Sequence, residues 1–398
     1  MTVLDYLQFR ERLSDIIQPN QDDFYLIKWL KARQFDVDKA EAMFRASMDF
    51  REEMDVEKIY REYDPPEVIK KYLTGGFCGH DKEGSPIRIE LYGRLDIKGI
   101  MCSVKKSDLV KIKIKQFEGT VKDWEQQSKK LGRRVDGMTV IVDMDGVGPR
   151  MMWSPGMQMH FSLVQMLEDN YPEMLKRLFV IKAPGIFPLL YKLAKPLISE
   201  DTKNKIHILG NDYKSTLLKY IDPEELPAFL GGTQTDEDRN PRCVSKICQG
   251  GLVPEEYYLE NTEYMDHLKT VTVPRGEKYL VEHIVETPGS YLRWEFKTDD
   301  YDIGFAVLKK QSKGNAQVVP MSRMNSHVVT QDGSYTCQEP GTYYVCFDNS
   351  FSWTRSKKIY YHTEVLVADE TIIKYEINDL IENGDWKTLC EKYETTHL

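Results

Sequence analysis

The chain has 398 residues, 41% of them hydrophobic and 29% charged, with a formal net charge of −9. That length exceeds a usual single core and predicts two or more domains, while the composition is that of an ordinary globular protein. The acidic balance argues against a nucleic-acid binder, which carries a basic excess, and leaves room for a local basic patch that meets anionic lipid.

At the N-terminus, Arg10, Glu11 and Arg12 arrive too early for a signal peptide. Further along, no run approaches the roughly 20 apolar residues that cross a bilayer. Asp22 and Asp23 can cap a helix over 24–33, and Asp36 a second one in which Val37, Ala40, Phe44, Ser47 and Met48 recur at helical spacing. These short helices read as a hairpin packed on something larger. From about residue 76 strands alternate with helices. Pro86–Leu91 alternates, and 138–142, 178–181 and 206–209 are short apolar runs of the buried parallel kind. Helical stretches fall between them at 106–131, 155–175 and 186–199, which predicts an α/β layer. Residues 231–241 are rich in Gly, Asn and acids and are expected to run over the surface.

Beyond that point the period becomes two, in Leu292-Trp294-Phe296, Ile303-Phe305-Val307, Tyr343-Val345-Phe347 and Ile359-Tyr361-Thr363-Val365. With Pro288-Gly289, Asp332-Gly333 and Pro340-Gly341 as turns, these runs predict an antiparallel β-sandwich. The tail from Glu370 reads as a helix. The expected division is a helical segment at 1–60, an α/β domain at 61–245, a linker at 246–262, the sandwich at 263–369 and a helical tail at 370–398. Cys78, Cys102, Cys243, Cys248, Cys337, Cys346 and Cys390 are scattered without a C-x-x-C pair. This predicts a reducing, cytoplasmic setting with neither zinc nor a disulfide framework.

Three stretches carry candidate chemistry. Asp143-Met-Asp145-Gly146 ends a strand as the nucleophile and acid of a magnesium phosphatase do, although Asp and Gly also close structural turns. The eight histidines form no ligand spacing, and His207 within a strand fits a packed or edge histidine. In Gly185–Ile198 the polar positions Pro188, Lys192, Lys195 and Ser199 form one helical stripe. Phe187, Leu190, Tyr191, Leu193, Ala194, Leu197 and Ile198 occupy the rest. A helix apolar over most of its circumference buries more than one face, which suits either a core helix or a lid between a lipid and a membrane. Finally, 105–134 carries ten basic residues, Lys113 among them, and reads as a solvated face or a membrane-facing one.

Taken together, Leu30–Asp36, Tyr72–Asp81, Asn170–Phe179, Ala183-Pro184, Lys195–Thr202 and Leu226–Gly232 resemble the CRAL-TRIO lipid-binding family over about residues 1–245. Leu292–Phe296 and Gly341–Asn349 resemble a GOLD domain. The resemblance implies an α/β lipid-binding cage with an N-terminal helical hairpin, followed by an antiparallel β-sandwich. It further implies a non-enzymatic lipid carrier without cofactors, holding one hydrophobic lipid of the tocopherol, squalene, retinoid or phospholipid class. Its gate helix would be the segment holding Phe187–Ile198. The expected partners are that lipid, a transient membrane surface and a protein met through the GOLD-like domain. Members that bind phosphatidylinositol surround the headgroup with residues that Arg33, Glu173, Thr202 and Lys205 match here, but Gln34 stands where a second basic residue is expected. A lipid-regulated trafficking adaptor is the alternative, and a magnesium phosphatase using Asp143 and Asp145 a third reading.

Overall fold

The computed structural model describes residues 3–19, 21–148, 151, 153–185, 187–194, 199–259, 268–312, 314–328 and 330–367. They fall into two compact units, each taken by itself below.

The first unit opens with helices α1 (Val3–Arg12), α2 (Asp23–Ala32) and α3 (Val37–Glu53). Asp22 accepts from the Tyr25 amide at 2.8 Å and Asp36 from the Lys39 amide at 3.1 Å, so both expected caps form. The hairpin is joined by α1, whose Phe9 packs with Leu13, Leu26, Trp29, Leu30 and Phe44 in a shared core. Helices α4 (Val56–Glu62) and α5 (Glu67–Tyr72) lead into a five-stranded sheet. Its strands are β1 (Gly76–His80), β2 (Pro86–Leu91), β3 (Met138–Asp143), β4 (Leu175–Ile181) and β5 (Ile206–Leu209), in that spatial order. β1 runs antiparallel to β2 and the others are parallel.

Helices α6 (Ile97–Ser103) and α7 (Lys106–Leu131) join β2 to β3, and α8 (Ser154–Asn170) joins β3 to β4. α9 (Phe187–Ala194) and α10 (Glu200–Asn204) follow β4, and α11 (Tyr213–Tyr220) follows β5. α7 ends at Gly132, whose φ of 63° supplies the left-handed cap that glycine adopts without strain. α8 stops at Asn170 rather than near 175 as its periodicity suggests, because Pro172 has no amide to donate and Glu173 turns to φ 57°.

The sheet has two unlike faces. Ile87, Ile89, Ile141, Phe179 and Ile181 form one, covered by Leu217 of α11 and by Leu226, Leu230, Cys243 and Ile247. Strand alternation puts Arg88, Glu90, Val140, Val142, Leu178 and Val180 on the other, and the register aligns them across β2, β3 and β4. The segment 231–241 forms neither helix nor strand. The chain then returns to the sheet: Cys248 and Gly75 exchange amide-to-carbonyl bonds of 2.9 and 3.0 Å.

The second unit is a β-sandwich. Its strands are β6 (Lys269–Val273), β7 (Lys278–Val285), β8 (Ser290–Thr298), β9 (Ile303–Gln311), β10 (Gly314–Met324), β11 (Gln331–Cys337), β12 (Gly341–Asp348) and β13 (Lys357–Leu366). They form two four-stranded antiparallel sheets, β10-β9-β12-β7 and β11-β8-β13-β6. Inward residues of both sheets share one core, in which Phe296 stacks on Phe305 with ring centres 4.7 Å apart. Asp332-Gly333 is not the turn its residue types suggest. Both lie within β11, where Gly333 faces Trp294, and a Cβ on Gly333 would come within 2.6 Å of that indole.

Candidate lipid-binding site

The end of α8 and the Tyr171-Pro172-Glu173 turn after it collect the four residues singled out for a headgroup. Arg33 stands at the C-cap of α2, with Nη2 3.7 Å from Asp169 Oδ1 and Nη1 donating to the Ala32 carbonyl at 3.1 Å. Thr202, in α10, donates to Glu168 Oε1 at 3.1 Å and accepts from Ser199 Oγ at 2.9 Å. Lys205 caps the C-terminus of α10 and reaches Glu173 Oε2 at 3.3 Å, while also pairing with Asp201. Glu173 meets Lys205 from a backbone in the left-handed region, at φ 57°. Gln34 and Phe35, at φ 53° and 64°, form the tight turn that carries the chain from α2 towards α3.

The local charge is dominated by carboxylates that sequence reasoning passed over. Glu168, Asp169 and Asp201 join Glu173 against Arg33 and Lys205. Burial raises the carboxyl of Glu168 above its usual range, opposed by the Thr202 hydroxyl and the charges of Lys205 and Arg33. Burial likewise raises Glu173, with Lys205 pulling the other way and Asp201 adding to the rise. Partial burial would raise Asp201 too, but its hydrogen bond to Lys205 prevails and holds it below the usual carboxylate range. Both cations are therefore engaged by protein anions.

α9 carries part of the apolar stripe. Phe187 is buried and stacks on Tyr191, ring centres 6.2 Å apart, and Leu190 is half-buried. Leu193 and Ala194 belong to α9, whereas Leu197 and Ile198 lie outside the described residues, as does the expected tail helix from Glu370.

At the end of β3, Asp143 behaves as a turn residue. Its Oδ1 accepts from the Asp145 amide at 3.0 Å and its Oδ2 from Lys182 Nζ at 2.8 Å. Among the described residues no group of three or more His, Cys, Asp or Glu side chains is arranged to hold a metal ion. His207 packs beside Phe179 with ring centres 5.5 Å apart, and burial lowers its pKa. No described helix is long and apolar enough to cross a membrane.

A mostly parallel sheet with one packed face and one face carrying Arg88 and Glu90, its fourth strand followed by a short apolar helix, defines a class when set beside known domains. Residues 70–232 match the CRAL/TRIO domain, a module that binds hydrophobic lipids, so this chain carries a CRAL/TRIO domain. The chain is similar to "Protein real-time" of Aedes aegypti, 30% identical over 320 residues that make up 76% of this chain and 48% of that protein. It is also similar to "CRAL-TRIO domain-containing protein T23G5.2" of Caenorhabditis elegans, 33% identical over 306 residues, 73% of this chain and 41% of that one. The chain thus spans about half the length of these relatives or less. Among solved structures, Sfh5 aligns at 19% identity with a TM-score of 0.46, covering 64% of this chain and 81% of that one.

Proposed function

We propose that this chain is a cytoplasmic lipid carrier that sequesters one hydrophobic lipid beside the sheet face bearing Val140, Val142, Leu178 and Val180 and releases it at a membrane. What supports the reading is the match of residues 70–232 to a lipid-binding domain together with α9, a short apolar helix after β4 in which Phe187 is buried and Leu190 half-buried. Each methylene removed from water contributes about 0.8 kcal/mol, so a long-chain lipid crosses water only when enclosed. Opening the enclosure exposes apolar surface, and contact of α9 and the residues after it with a bilayer offsets that cost. Release is then coupled to the membrane and not to any chemical step.

At the headgroup end, Arg33, Glu173, Thr202 and Lys205 are the contacts we assign to the polar part of the ligand. With Gln34 in place of a second cation and four carboxylates nearby, this end favours a neutral or weakly charged head over phosphatidylinositol. The missing charge-assisted contact alone is worth about 1.5–3 kcal/mol. The C-terminal sandwich is consistent with a GOLD-like domain, and we assign it to the recruitment of a protein partner.

The test is transfer of a fluorescent lipid between vesicles. Leu190→Asp combined with Leu193→Asp should slow transfer at least tenfold while far-UV circular dichroism stays native. Transfer at the wild-type rate by the folded variant removes the gate assignment. A wild-type chain that binds lipid but transfers none favours instead an adaptor in which the lipid is a regulatory cue.

A further inference from the structure

The face of the five-stranded sheet opposite its packed core holds, at β2, a charge arrangement separate from the proposed headgroup cluster. Arg88 and Glu90 project from β2 on the face opposite the packed core, and Lys113 of α7 reaches the same point. Arg88 Nε donates to Glu90 Oε1 at 2.7 Å and Lys113 Nζ to the same oxygen at 3.5 Å. The three side chains are 6%, 13% and 20% exposed, in that order, so they are largely withdrawn from water. Two cations thus share one carboxylate. Neither Nη of Arg88 has an acceptor among the described residues; the guanidinium lies over the Phe77 ring, 5.2 Å from its centre.

The neighbours do not restore neutrality. Tyr92 lies beside them with its ring centre 6.0 Å from that of His160 in α8, and burial raises its hydroxyl, keeping it uncharged. Burial and the nearby Lys113 charge push the His160 imidazole down to about 4, so it too is neutral at physiological pH. A withdrawn cluster with one uncompensated positive charge is costly: burial and the Arg88 charge lower the pKa of the Lys113 amine, with Glu90 opposing. An anion joining the cluster would offset that cost and hold the amine charged. An arginine with both terminal nitrogens unengaged presents the planar fork that a carboxylate fits bidentately.

We propose that Arg88 and Lys113 form an internal anion subsite that takes the carboxylate of a fatty-acid-like lipid, with Glu90 holding the two cations in place. The inference rests on the carrier reading and adds to it a class of passenger distinct from the neutral-headed lipids assigned to the Arg33–Lys205 end. This passenger has one compact head of charge −1, held against the sheet at Arg88 and Lys113 while Arg33 and Lys205 stay paired with their own carboxylates, its chain extending along Val140, Val142 and the apolar residues beyond.

The probes are cis-parinaric acid and its methyl ester, which share a fluorescent chain and differ only in the head charge. Titrated into the purified, delipidated chain, the acid should bind at least about tenfold more tightly than the ester, the effect of a single charge-assisted bond. Arg88→Met and Lys113→Met should each abolish that preference while leaving ester binding unchanged, and ester binding reports that the variant is folded. Glu90→Gln, which removes the competing carboxylate, should tighten the acid alone. Equal affinity of the wild-type chain for acid and ester overturns the subsite and leaves the carrier intact, as does a preference that survives both methionine variants. Binding of neither probe overturns the carrier reading and the subsite with it.

Discussion

Arg51 of α3 holds Glu118 of α7 with both nitrogens of its guanidinium fork: Nη1 donates to Oε1 at 2.7 Å and Nη2 to Oε2 at 3.2 Å. The Tyr171 hydroxyl donates to the same Oε1 at 2.8 Å. One buried carboxylate therefore ties the N-terminal helices to the long helix of the cage and to the turn that presents Glu173. Replacing Arg51 by Met leaves Glu118 buried without its counter-charge, which should cost about 3–5 kcal/mol. Urea denaturation measures this, and Arg51→Met with Glu118→Gln should recover much of the loss. A single-variant loss below 1 kcal/mol would show that water replaces the arginine.

His160 sets a pH dependence. Its folded-state value of about 4 lies below the unfolded value of about 6.5, so between these the unfolded chain binds more protons. Stability from this residue is complete above about pH 6.5 and is lost as pH falls towards 4. The full span is about 3 kcal/mol at most. Thermal melts of the wild type and His160→Asn should differ by a constant amount above about pH 6.5, and the wild type should lose stability relative to the variant as pH falls from there towards 4. Parallel curves would mean the ring is not buried neutral.

Gln34→Lys supplies the cation that the proposed headgroup cluster lacks. Co-sedimentation with vesicles containing phosphatidylinositol should then increase about tenfold over the wild type, as one charge-assisted contact would give. No increase would place the phosphate elsewhere.

Gly333→Ala tests the sandwich. The added methyl would sit 2.6 Å from Trp294 Cζ2, so either the indole or β11 must shift. Overpacking of this kind costs about 1–3 kcal/mol. Tryptophan emission should move and the sandwich should melt earlier; a variant as stable as the wild type would show that β11 yields freely.

What the sequence made legible follows solvent exposure. In the sandwich, the four runs with period two are β8, β9, β12 and β13, the central strands of the two sheets. β6, β7, β10 and β11 are the edges; β6 is only five residues long, and β7 carries Leu280 and Ile284 on its exposed side, which blurs its alternation. α1 escaped for a related reason: Val3, Leu4 and Leu7 are exposed while Phe9 is buried, so no single stripe marks its inner side.

The arrangement of the proposed site was partly legible. Arg33, Glu173, Thr202 and Lys205 could be picked out by resemblance, but not the acids that hold the basic pair. Glu168 and Asp169 look like an ordinary solvated helix end, and only the fold brings α2 and α10 onto them. Lys113 was hidden in the opposite way. In a helix with so many basic residues it reads as one more solvated charge, and nothing local reveals that its partner, Glu90, waits on a strand 23 residues earlier.

The pairing of Gly75 with Cys248 has a consequence for the order in which the protein is built. The matched domain ends at residue 232, yet the entry to its first strand is paired at Gly75, and its core filled by Cys243 and Ile247, only by chain that follows. During synthesis the lipid-binding unit therefore remains unfinished after all five of its strands have emerged, with Gly75 unpaired and an open apolar seam where Cys243 and Ile247 will pack. A fragment cut at the domain boundary would keep that seam for good and should self-associate, whereas one extended past Gly251 should remain monomeric.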